Sequence, residues 1–154
     1  FMKRITYWPQ LFLGITFNWG IIMAWTAMNN TVSVDIIILY FSAIFWTLGY
    51  DTIYGAQDMS EDEIIGLKST SIKFKKNIKL FLFFSYFITT IMIVYLFKNF
   101  VGLNIFTIFL TFFILSLFYQ IIKFKKKRTK NYLELFKFNN YSGFLLFLGI
   151  LFIN

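Results

Sequence analysis

The sequence predicts an all-α integral membrane bundle of about five transmembrane helices, and three observations carry that prediction. Hydrophobic residues make up 58% of the 154 positions and charged residues only 14%, whereas a soluble domain is nearer ~45–50% apolar. The apolar residues fall into long uncharged runs of membrane-crossing length. The basic residues fall almost wholly between alternate runs. The absence of Cys and His removes disulfides, thiolate nucleophiles, imidazole acid/base chemistry and the usual zinc ligand sets. Any metal must then be a hard cation held by oxygens. The net charge of +8 reads as membrane topology and not as a nucleic-acid footprint, because the lysines form short blocks between apolar runs.

The first span is expected over residues 11–28, inside an uncharged stretch from Ile5 to Val34. Asn29, Asn30 and Thr31 mark a turn, and Ser33 with Asp35 supplies capping chemistry for a second span over residues 36–50. Further spans are expected over residues 80–97, 104–122 and 138–154. The runs are apolar all round, which fits helices in lipid and not alternating barrel strands. Lys3 and Arg4 precede the first span; Lys68, Lys73, Lys75, Lys76 and Lys79 separate the second and third; seven more basic residues separate the fourth and fifth, which leaves only Lys98 on the other face. That asymmetry puts the even-numbered connections on the cytosolic or matrix side. The basic segment KFKKKRTK reads as a stop-transfer, phospholipid-contacting loop. The start, FMKRITYWPQ, lacks the core and cleavage site of a signal peptide, and its opening Phe leads us to expect polypeptide upstream.

Residues 50–71, YDTIYGAQDMSEDEIIGLKSTS, hold five of the seven acidic residues. A helix continuing past Tyr50 would put Asp51, Gly55, Asp58 and Asp62 on one face. Asp58 and Asp62 would then lie about 6 Å apart in rise, with Asp51 about 10 Å nearer the membrane. Such a DxxxD pair suits Mg²⁺ presented to a diphosphate. Lys68, Lys3 and Arg4 would add positive charge to the same oxygens, and Glu61 and Glu63 would stay solvated. Tyr50 and Tyr54 flank this face. Asn18, mid-span, either bonds a neighbouring helix or lines a polar cavity; Tyr7, Trp8 and Trp25 fit interfacial belts. On spacing alone, DxxxD is a weak signal and reads first as an acidic loop balancing nearby lysines.

The longer string is more specific. KRxTYWPQ followed by YDTxYxxxDxxxDxxxGxKST, with the terminal NNYSGFLLFLG, closely resembles the 4-hydroxybenzoate polyprenyltransferase family of intramembrane aromatic prenyltransferases. The resemblance implies transfer of a polyprenyl group from polyprenyl diphosphate to the ring of 4-hydroxybenzoate in ubiquinone biosynthesis. It implies that Asp58 and Asp62 bind Mg²⁺ and diphosphate as catalytic and metal residues, that Arg4 is catalytic and that Lys68 binds substrate; by charge and position beside the acidic face, Lys3, Asp51 and Tyr54 are expected to bind substrate too. The location implied is the bacterial inner membrane, or the mitochondrial inner membrane in a eukaryote. Three positions depart from the family pattern: Ile22 for proline, Gly55 for alanine and Ser71 for alanine.

Family members have about nine helices and an earlier Asn/Asp-rich motif, and nothing before Asp35 here is acidic. The resemblance therefore implies that residues 1–154 are the C-terminal portion of one membrane prenyltransferase domain, inactive without its N-terminal half. A membrane transporter and a non-catalytic scaffold subunit are the competing readings. The carboxylates lie beyond a span's end and not at mid-bilayer, which argues against the transporter.

Overall fold

Residues 1–124 and 129–153 are described by a computed structural model. The order is α1 (Met2–Ile5), α2 (Pro9–Phe17), α3 (Trp19–Asn29), α4 (Val34–Gly55), α5 (Met59–Ile64), α6 (Thr70–Lys73), α7 (Ile78–Leu96), a 3₁₀ turn (Lys98–Phe100), α8 (Ile105–Lys123) and α9 (Thr129–Leu151). No strand occurs among the described residues. Four segments are long and apolar enough to cross a membrane: Pro9–Asn29, Val34–Gly55, Ile78–Leu96 and Ile105–Lys123. The expected fifth span falls on α9, which is not among these four: it starts nine residues earlier than the uncharged run and carries Glu134 and Lys137, both exposed, on its first half. Asn154 and most of the basic segment KFKKKRTK lie outside the described residues.

Helix α4 is the axis of the bundle, touching α2, α3, α6, α7 and α9. Its N-cap is Ser33, whose hydroxyl accepts from the Ile36 amide at 3.3 Å, with Asp35 in the first turn. Asn104 caps α8 the same way, accepting from the Thr107 amide at 2.9 Å; each such cap satisfies an amide that lipid cannot. The inward stripe of α8 is Phe106, Leu110, Phe113, Leu117 and Gln120, and that of α9 is Tyr132, Leu135, Asn139, Ser142 and Leu146. Both recur every three or four residues, the spacing that seats one long helix against another.

Polar side chains join the helices where the bundle is driest. The Tyr86 hydroxyl donates to Gln120 Oε1 at 2.8 Å, the Trp46 indole donates to Asn139 Oδ1 at 2.9 Å, and Asn139 donates to Gln120 Oε1 at 3.1 Å. Ser116 donates to Ser142 at 2.8 Å. These bonds tie α4, α7, α8 and α9 in one register, the role polar groups play where lipid offers helices no hydrophobic drive to associate.

The first span is interrupted, not continuous over residues 11–28. Asn18 separates α2 from α3, donating through Nδ2 to the Gly14 carbonyl at 2.8 Å and to Thr47 Oγ1 of α4 at 2.9 Å. Of the two roles open for Asn18, the bond to a neighbouring helix is therefore observed. Its carbonyl accepts from the Ile21 amide at 3.0 Å, a tightened turn. Ile22 thus sits just past a break of the kind proline makes, and the departure from the family pattern costs the chain no geometry. Ile22→Pro is expected to cost under about 1 kcal/mol, against ~3 kcal/mol for proline in a regular helix interior. Thermal unfolding in detergent checks this; a loss at the regular-helix level refutes it.

Candidate functional site

The acidic stretch does not continue α4. The helix ends at Gly55, where the Ala56 amide donates to the carbonyls of both Thr52 and Ile53 and the Gln57 amide donates to Tyr54. The expected common face of Asp51, Asp58 and Asp62 is therefore corrected: Asp51 stays on α4, Asp58 is the N-cap of α5, and Asp62 lies on α5. The cause is close packing at Gly55. A Cβ there would meet Ser71 Oγ at 2.8 Å and Gln10 Nε2 at 2.9 Å, so this end of the helix is pressed against α2 and α6. The two family departures, glycine at 55 and serine at 71, occupy one space, and the volume lost at one is used by the other.

A buried polar latch holds the segment after Gly66. The Thr70 amide donates to Gln10 Oε1 at 3.0 Å, Thr52 and Thr70 hydroxyls lie 2.7 Å apart, and Ser71 donates to the Thr52 carbonyl at 2.7 Å. Thr52, Thr70 and Ser71 are fully buried and Gln10 nearly so. Buried groups satisfied this completely fix a loop rather than destabilise it. Gly66 supplies the loop's left-handed turn at φ 73, a conformation glycine adopts without strain. Sequence reasoning assigned no role to Gln10, Thr52, Thr70 or Ser71. The available signal was polarity inside or at the edge of uncharged runs, with Gln10 directly after the only proline.

The latch delivers the loop to the N-terminal segment. The Lys68 amide donates to the Lys3 carbonyl at 2.7 Å, and the Lys68 ammonium donates to the Ile5 carbonyl at 3.3 Å. The Leu67 amide donates to the Asp62 carbonyl at 2.8 Å. Across this junction the Lys3 ammonium donates to Asp62 Oδ2 at 2.8 Å; the Asp62 side chain is 8% exposed and that of Lys3 40%. Asp58 stays one helical turn away, its carbonyl accepting from the Asp62 amide at 2.8 Å, and its half-buried side chain makes no capping bond.

Three expected site residues, Lys3, Asp62 and Lys68, are thus joined by direct bonds, and Asp58 lies one helical turn from Asp62. Arg4 is exposed beside them on α1. Asp51 is half-buried at the end of α4, within Coulombic range of Lys3. Tyr54 packs its ring on Phe136 of α9 at 4.8 Å. Glu61 is exposed, whereas Glu63 is ion-paired with Lys75. Trp8, expected in an interfacial belt, lies 4.4 Å under the Lys73 ammonium, a cation–π contact that ties α2 to α6. Among the described residues no three His, Cys, Asp or Glu side chains form a group able to hold a metal, so any cation here has at most the Asp58/Asp62 pair from this chain.

The profile of the UbiA prenyltransferase family matches residues 1–149. The chain belongs to that family. Relatives named mitochondrial 4-hydroxybenzoate polyprenyltransferase include those of Bos taurus and Homo sapiens, 54% and 53% identical over 79 residues, which are 51% of this chain and 21% of each relative. That of Arabidopsis thaliana is 50% identical over 82 residues, 53% of this chain and 20% of the relative. The matched region is thus about a fifth of the length of these curated relatives. No solved structure matches the chain.

Proposed function

We propose that this chain supplies the second-aspartate side of an intramembrane aromatic prenyltransferase, which moves a polyprenyl group from polyprenyl diphosphate to a ring carbon of 4-hydroxybenzoate in ubiquinone biosynthesis. The single observation that supports it most is the junction in which the Lys3 ammonium pairs with Asp62 while the Lys3 carbonyl holds the Lys68 amide, with Asp58 one helical turn from Asp62. The names of the relatives support the acceptor and a mitochondrial location, and the lysine asymmetry supports a matrix-facing acidic segment.

The residues fit Mg²⁺. Two carboxylates one turn apart match an ion that takes one or two protein ligands and completes its shell with water and substrate phosphate. Asp58 and Asp62 would hold it, and when bound it supplies positive charge against the diphosphate. Arg4, Lys3 and Lys68 donate hydrogen bonds to diphosphate oxygens. As the allylic C–O bond breaks, its electron pair leaves with the diphosphate, and these donors stabilise the growing negative charge. The phenol ring then forms the C–C bond and loses a ring proton. Asp51, within Coulombic range of Lys3, and Tyr54 orient substrate in this reading. A diphosphate carries more charge than one such pair offsets in a partly desolvated site, so the N-terminal half, with a second aspartate motif, completes the enzyme.

Membranes containing this chain with the product of the coding sequence upstream of it are expected to convert labelled polyprenyl diphosphate and 4-hydroxybenzoate to prenylated product. A divalent-cation chelator should abolish conversion, and the 154-residue chain alone should give none. Product formation that ignores chelator, or its absence from the combined membranes, would overturn the proposal.

A further inference from the structure

Lys3 does two things at once. Its carbonyl accepts from the Lys68 amide and its ammonium holds Asp62, so the N-terminal segment, α5 and the loop before α6 meet on one residue. A carboxylate as buried as Asp62 needs a counter-charge close by. Among the described residues the cation paired with it is Lys3, 59 residues away in sequence. A divalent ion arriving at Asp62 therefore meets an oxygen already occupied by an ammonium. Lys3 is part-exposed on a flexible four-carbon stem, so its head can leave while its backbone stays bonded to Lys68.

We infer that Lys3 is the exchangeable counter-cation of Asp62: it neutralises the carboxylate before a divalent cation binds, yields the oxygen to that cation, and moves its ammonium to the phosphate oxygens that accompany it. This rests on reading Asp58 and Asp62 as a divalent-cation pair. The exchange makes cation and diphosphate binding mutually dependent. A cation alone must displace Lys3 with nothing to receive the ammonium, while a cation with diphosphate provides the receiver. The Lys3 charge therefore opposes the metal alone and favours the metal with its anion.

The test uses the 154-residue chain in detergent, Mn²⁺ as probe read by electron paramagnetic resonance, and inorganic pyrophosphate as the anion. Lys3→Gln is expected to bind Mn²⁺ about fivefold tighter without pyrophosphate, the scale of removing one part-exposed ion pair. At saturating Mn²⁺ it should bind pyrophosphate about fivefold weaker. Lys3→Arg should stay within about twofold of the parent on both counts, as a retained charge requires. In an Asp62→Asn background the Mn²⁺ effect of Lys3→Gln should vanish, and circular dichroism establishes that each variant is folded. Equal or weaker Mn²⁺ binding by folded Lys3→Gln, an effect that survives Asp62→Asn, or no Mn²⁺ binding to the parent at about 10 mM would each overturn the inference. The readout is independent of prenyl transfer: exchange as expected, in membranes that make no product, would count against the enzymatic reading and leave the exchange standing.

Discussion

Gly49→Ala is expected to destabilise the bundle by about 3 kcal/mol, although alanine is the better helix former by ~1 kcal/mol. Gly49 is buried where α4 crosses α7, and a Cβ on it would lie 2.3 Å from Tyr86 Cε1 and 2.8 Å from Cδ1. The ring cannot swing aside cheaply, because Tyr86 is 2% exposed and its hydroxyl is bonded to Gln120 at 2.8 Å. Either the two helices part, straining the reciprocal bonds between Ser42 and Thr89 at 3.4 and 3.3 Å, or the hydroxyl leaves Gln120. Overpacking costs about 1–3 kcal/mol, and a buried polar group left unpaired about 1–3 kcal/mol more. These together outweigh the helix-propensity gain. Tyr86→Phe isolates the hydroxyl and should cost about 1 kcal/mol. Denaturant titration in mixed micelles measures both; a Gly49→Ala variant within about 0.5 kcal/mol of the parent would show that α4 and α7 are not in this close contact.

The positions of four of the five expected spans were legible because charge is so costly in lipid that its absence over ~20 residues is a strong signal. Which face of each helix turns inward was not legible from apolar periodicity, since Phe, Leu and Ile suit lipid and bundle interior equally. The inward faces are marked instead by Ser42, Gly49, Ser85, Thr89, Ser116, Gln120, Asn139 and Ser142, all but Gly49 among the buried polar residues. Small and polar residues on a lipid-facing surface have no partner, so their spacing records the contacts. The beginning of α9 was missed for a related reason. Glu134 and Lys137 end the uncharged run, yet the helix continues through them on its exposed side.

At the site, the residue types and the DxxxD spacing were readable, and the break after Gly55 was not. Helix propensity does not report a termination imposed by Gln10 and Ser71 from other segments. The Lys3–Asp62 pair likewise spans 59 residues, and local sequence carries no trace of which cation finds which carboxylate. What sequence placed on one helical face, tertiary packing places on one junction by a different route.

The break has a functional consequence that separates the two aspartates. Asp58→Asn removes a half-buried carboxylate with no capping bond, so its stability should stay within about 0.5 kcal/mol of the parent. Asp62→Asn removes the partner of Lys3 at 2.8 Å. Because Lys3 keeps access to water, that loss should cost only about 1 kcal/mol and not the larger penalty of stranding a buried charge. Activity should not follow stability. Under the proposed function each substitution would take one of two carboxylates from the diphosphate's cation, and loss of a preorganised electrostatic contact of this kind lowers turnover about a hundredfold to a thousandfold. Prenylation by membranes carrying the complete enzyme, set beside thermal melts of the same variants, gives both quantities. Full activity in both variants would remove the carboxylate pair from the chemistry. A melt lowered more by Asp58→Asn than by Asp62→Asn would overturn the geometry that assigns Lys3 to Asp62.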